Sequence, residues 1–88
     1  MGWTKDSVKQ ATEGVSRPDG GTLGDAVLWV SVCEGYIGLK VASEGMSDPA
    51  DRGLVAAACR GAIERIGGGA VLESLIVEFA DGQGSVVQ

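Results

Sequence analysis

Two thiols, a scatter of carboxylates and a run of three glycines are the groups in this chain that invite a chemical reading. There is no histidine, which excludes imidazole triads, proton shuttles and His-bearing metal centres. Cys33 has no base partner beside it and follows no nucleophile motif. Reactive thiols need an electropositive setting, so Cys33 reads as structural or half-exposed. Glu73 and Glu78 lie five apart on a predicted strand and therefore point to opposite faces. Glu64 and Glu73 fall on different elements, and no acidic cluster has calcium-loop spacing. Gly67-Gly68-Gly69 follows a helix C-terminus and carries no Lys, whereas phosphate loops precede a helix. It reads as a cap and a flexible link. No catalytic residue, cofactor-binding residue or metal ligand is nominated, and the chain reads as a non-enzyme.

The elements that would position a working surface must come from one small domain of 88 residues, with a helix and loop over 1–24 and a core over 25–88. A chain of this size buries roughly 60% of the surface its unfolded form exposes, and dimerisation is a common remedy. The formal charge is −5, and the seven basic residues are scattered. Nucleic-acid binding needs a basic stripe, so it is not expected. No run approaches the ~20 apolar residues of a membrane span, and the N-terminus lacks a signal core. Two cysteines without CxxC spacing fit a reducing compartment, and a cytoplasmic location is expected. The predicted pattern sets Cys33 and Cys59 on opposite sides of a sheet, which argues against a disulfide.

Thr4 reads as the N-cap of a helix over 5–14, with Trp3 and Val8 placed as a hydrophobic staple. Arg17-Pro18-Asp19-Gly20 has turn chemistry. Residues 26–33 and 36–43 read as a hairpin about Glu34-Gly35, a bulged three-residue loop being the alternative. That register pairs Val32 with Ile37, Val30 with Leu39 and Leu28 with Val41 on one aliphatic face. Cys33–Tyr36, Ser31–Gly38 and Trp29–Lys40 pair on the other. A one-residue slip would throw the aliphatic set to the wrong side.

Asp48 caps a second helix with Pro49 at its first position. Leu54, Val55, Ala58, Cys59, Ala62, Ile63 and Ile66 cover one broad face of it, and Gly67 supplies the C-cap. Residues 71–80 read as a strand with Leu75, Val77 and Phe79 on one face and Leu72, Ser74, Ile76 and Glu78 on the other. Asp81-Gly82 then turns the chain so that Val86 returns opposite Val77. Trp29, Tyr36, Leu72, Ile76 and Val87 share the second sheet face. Either the N-terminal helix covers them or they form a partner patch.

The order helix–hairpin–helix–hairpin, with Ala42-Ser43-Glu44-Gly45, Ser47-Asp48-Pro49-Ala50-Asp51-Arg52, Gly67-Gly68-Gly69-Ala70-Val71 and Ile76-Val77-Glu78-Phe79 followed by Asp81-Gly82, resembles bacterial members of the Roadblock (dynein light-chain-type) family. The likeness spans about residues 24–87. It implies an α+β, profilin-like fold in the order α-β-β-α-β-β, with an antiparallel sheet between helices. It further implies homodimerisation through the second helix (Ala56, Arg60, Ile63, Glu64) and the third strand (Ser74, Ile76, Glu78), which would pair with its twin. Family members continue with a further strand and a final helix, so strand 84–88 is expected to be an edge needing cover.

The function this resemblance implies is non-enzymatic: a dimeric regulator or scaffold acting on a Ras-like small GTPase or an associated signalling system. The alternative is an acidic adaptor or inhibitor unrelated to GTPases. No cofactor is expected under either reading.

Overall fold

The computed structural model describes residues 2–46, 48–80 and 86–87, the last two by backbone pairing alone. The Asp81-Gly82 turn and Ser47 lie outside the described residues. Helix α1 (Lys5–Glu13) starts at Thr4, whose hydroxyl accepts from the Ser7 amide while the Ser7 hydroxyl accepts from the Thr4 amide, a reciprocal capping box. Gly20 donates its amide to the Arg17 carbonyl at 3.0 Å, closing the expected turn. Strands β1 (Val27–Cys33) and β2 (Tyr36–Val41) form the hairpin. Helix α2 (Pro49–Ile66) begins where Asp48 accepts from the Ala50 amide, with Pro49 at its first position. Strand β3 (Ser74–Phe79) follows, and the two-residue β4 (Val86–Val87) pairs with it.

The hairpin register holds from Trp29–Lys40 through Cys33–Tyr36. It breaks at one place. A bulge between Val27 and Trp29 pairs Val27, not Leu28, with Val41. Val27 therefore takes the core position and Leu28 is turned outward. The turn itself has two residues, and Glu34 rather than Gly35 carries the left-handed φ, at +55°.

The sheet is mixed, in the order β1-β2-β3-β4, with β2 and β3 parallel. This corrects the antiparallel expectation, and the geometry of α2 explains it. An 18-residue helix is about 27 Å long, ample to carry the chain back along the ~20 Å of a six-residue strand. The next strand then starts at the same end as β2 and runs alongside it, as a helical crossover requires.

A second correction concerns the layers. The sheet does not lie between the helices: α1 packs on α2 and on β1. Val8 of α1, the inner face of α2, and Val27, Val30, Ile37, Leu39, Val41, Leu75, Val77 and Phe79 of the strands form one buried cluster. The domain thus has two layers, helices on sheet. Trp3 holds α1 to that side, because its Nε1 donates to the Ile63 carbonyl at 2.8 Å. The staple position is used to bind one helix to the other. No described helix is long and apolar enough to cross a membrane.

Helix α2 is turned from its expected orientation. Arg52, Val55, Ala56, Cys59, Ala62 and Ile63 are buried, while Leu54, Ala58 and Ile66 are exposed. Arg52 explains part of the rotation. Its guanidinium carbon sits 4.7 Å above the Phe79 ring and its Nε donates to the Met46 carbonyl at 2.6 Å. It caps the core through a cation–π contact and a buried hydrogen bond. The position lies three before Val55 and seven before Cys59, on the core stripe, and Arg stems bury readily. That spacing was the available signal.

Candidate functional site: the open face of the sheet

With both helices on one side, no described element covers the other side of the sheet. Strand pairing sets its outward side chains in three cross-strand rows. Trp29, Lys40 and Glu78 form the first, Ser31, Gly38 and Ile76 the second, and Cys33, Tyr36 and Ser74 the third. The bulge adds Leu28 beside Trp29. The four large apolar side chains are well exposed: Leu28 53%, Trp29 55%, Tyr36 59% and Ile76 44%.

The middle row is low because position 38 is Gly. A Cβ there would stand 2.8 Å from Ser31 Oγ, so the glycine and the serine make a shallow floor. A groove of about 720 Å³ runs over it, walled by Leu28 and Trp29 on one side and Ile76 on the other. Lys40 Nζ lies 3.8 Å from Glu78 Oε1 across adjacent strands, with both side chains about half exposed. Such a surface pair contributes little to stability. It does leave the face electrically balanced on a chain of net charge −5.

The expected interface residues are divided between two surfaces and the interior. Ala56 and Ile63 are fully buried in the core, so they cannot be contacts on the surface. Arg60 and Glu64 pair with each other along α2, Arg60 Nε to Glu64 Oε1 at 3.6 Å, on the helix layer. Ser74, Ile76 and Glu78 lie on the open face. Pairing of β3 with a twin strand is corrected: β2 occupies one edge of β3 and β4 the other. The terminal strands of the described sheet are β1 and β4.

Within the expected patch, Trp29 and Tyr36 both lie on the open face, in its first and third rows. Leu72 is not among them; it is buried. It precedes β3, where the Glu73 and Ser74 amides both donate to the Gly35 carbonyl, so the strand alternation does not extend back to it. Val87 is described only through its backbone pairing with Ile76. Leu28 was missed because a bulge leaves no trace in a two-residue period.

The thiols lie in opposite settings, both free. Cys33 is exposed at the end of β1. Cys59 is buried in α2, and loss of solvent pushes its pKa from 9.0 up to about 12. It is inert at neutral pH. Among the described residues no group of three or more His, Cys, Asp or Glu side chains stands together as a metal cage.

Among the described residues, fold and surface define a small α+β domain of two helices on a mixed sheet, with an apolar face that neither helix covers. Compared with known protein families, curated proteins and solved structures, the chain matches none.

Proposed function

We propose that this chain is a non-enzymatic interaction module that regulates or scaffolds protein partners through the open face of its sheet. The observation carrying this reading is the exposure of Leu28, Trp29, Tyr36 and Ile76 on one side of a sheet whose described helices both lie on the other. Aromatic residues over a shallow apolar groove are the usual anchors of protein interfaces, and contiguous exposed apolar surface marks a docking site. A photo-crosslinking residue placed at position 29 in the native host tests it. Discrete covalent protein adducts are expected there and not from the same probe at Lys9, on α1. Equal adducts from both positions would remove the reading.

Regulation of a Ras-like small GTPase is the process proposed for this module, supported by the element order α-β-β-α-β-β, which the chain has in common with the Roadblock resemblance. Binding that differs between the GDP- and GTP-bound forms of such a GTPase is the expected result. Binding indifferent to nucleotide, but weakened steeply by salt, would favour an acidic adaptor for a basic partner instead.

A further inference from the structure

Resting on that reading, we propose that the first occupant of the open face is a second copy of this chain, stacked sheet to sheet. Three observations point to self-association. The first is area. The exposed parts of Leu28, Trp29, Tyr36 and Ile76 amount to on the order of 500 Å² of side chain. The polar positions Ser31, Lys40, Ser74 and Glu78 around them bring the face near the ~800 Å² per partner of a standard interface.

The second is charge. The chain carries −5, yet among the described residues the open face bears one cation and one anion, Lys40 and Glu78, side by side at 3.8 Å. A two-fold related copy presents the same pair, so each Lys can meet a Glu of its partner. The face is complementary to itself, as a two-fold interface must be. The rest of the surface, acidic overall, repels a second copy and so favours this one docking mode. The third is shape. The low Gly38–Ser31 row leaves a trough between Trp29 and Ile76 into which an aromatic side chain of the facing sheet can insert. Stacked sheets pack about 10 Å apart with interdigitating side chains.

Sedimentation velocity over a range from about 5 to about 500 µM tests the inference, with a dimer of Kd below about 100 µM expected. Trp29→Ser combined with Ile76→Lys should weaken association at least tenfold, with an unchanged far-ultraviolet circular dichroism spectrum. Leu54→Ser, on the helix layer, should leave it intact. Lys40→Glu and Glu78→Lys should each weaken self-association, and the two variants mixed should associate with each other. A dimer indifferent to the face variants would place the contact elsewhere, such as the β1 edge, and would overturn the inference. So would a monomer throughout the range. In that event the dye ANS separates the two readings. ANS fluorescence enhanced by the wild type and lost in the Trp29/Ile76 variant keeps the docking face and discards the second copy. No ANS response discards both.

Discussion

The indole of Trp3 sits against Gly67, sixty-four residues away in the chain: a Cβ built on Gly67 would stand 2.6 Å from Trp3 Cζ2 and 3.0 Å from Cε2. The same indole donates its Nε1 hydrogen to the Ile63 carbonyl, one of the last-turn carbonyls that a helix leaves without an internal partner. The N-terminal segment is thereby tied to the C-terminal end of α2. With Val8 buried in the shared core, this contact holds α1 on the side of the sheet where α2 lies.

Gly67 has an ordinary helical φ of −73°, so alanine there would normally stabilise by up to about 1 kcal/mol. Here the indole opposes it. Gly67→Ala should instead destabilise by about 1–3 kcal/mol, the usual cost of overpacking. In a Trp3→Ala background the same change should become neutral or stabilising. A double-mutant cycle read by urea unfolding gives the coupling. Additive effects would show that the indole is free to move away.

Glu34 and Gly35 should respond with opposite signs. Glu34 holds φ at +55°, a conformation that costs a non-glycine residue about 1–2 kcal/mol. Glu34→Gly should therefore stabilise, by about 0.5–1 kcal/mol after the added chain entropy. A Cβ on Gly35 would lie 2.7 Å from the Val71 carbonyl oxygen and 3.2 Å from the Glu73 amide nitrogen, and backbone yields less readily than a side chain. Gly35→Ala should lower stability by about 2–4 kcal/mol and weaken hydrogen-exchange protection at Glu73 and Ser74, whose amides donate to Gly35. Equal thermal midpoints for the two variants would refute this.

The bulge makes a similarly sharp claim about neighbours. Val27→Ala should cost about 1–3 kcal/mol by opening a core cavity. Leu28→Ser should stay within about 0.5 kcal/mol of wild type, as exposed positions do. A regular hairpin would give the reverse order, and urea midpoints distinguish the two.

Cys59 gives the chain a dependence on high pH. Its folded pKa of about 12 lies above the ordinary 9.0, so the folded state keeps a proton that the unfolded chain has lost. The contribution is complete below pH 9 and disappears as pH rises towards 12. In that window the unfolded state binds fewer protons and stability falls with pH, by up to ~1.36 kcal/mol per unit. Subtracting the profile of Cys59→Ala removes the titration of other groups. At neutral pH, a thiol reagent should modify Cys33 rapidly and Cys59 only after unfolding. Two fast-reacting thiols in the native protein would show Cys59 to be accessible.

Some of this fold is legible from local chemistry. Thr4, the Arg17–Gly20 turn and Asp48-Pro49 act through hydrogen bonds and dihedral limits within a few residues, and each element begins or turns where they stand. The register from Trp29 to Cys33 is also fixed early, since a slip of one residue would expose the whole aliphatic set. The placement of Trp29, opposite Lys40, and Tyr36, opposite Cys33, on one face of the sheet follows from the same register.

What the residues could not decide locally was the arrangement of whole layers. Whether β3 lies beside β2 or elsewhere depends on partners nearly forty residues apart, such as Tyr36 and Ser74, and whether α1 covers the front or the back of the sheet depends on contacts some sixty residues apart, such as Trp3 with Ile63. Both sheet faces carry apolar side chains, so hydrophobic patterning is compatible with cover on either. The amino-acid order determined the elements, their caps and the hairpin pairing, because those rest on neighbours. Tertiary packing determined the parallel crossover, the rotation of α2 that buries Arg52, and the exposure of Trp29, Tyr36 and Ile76, because each of these is set by which distant surface comes to rest against which.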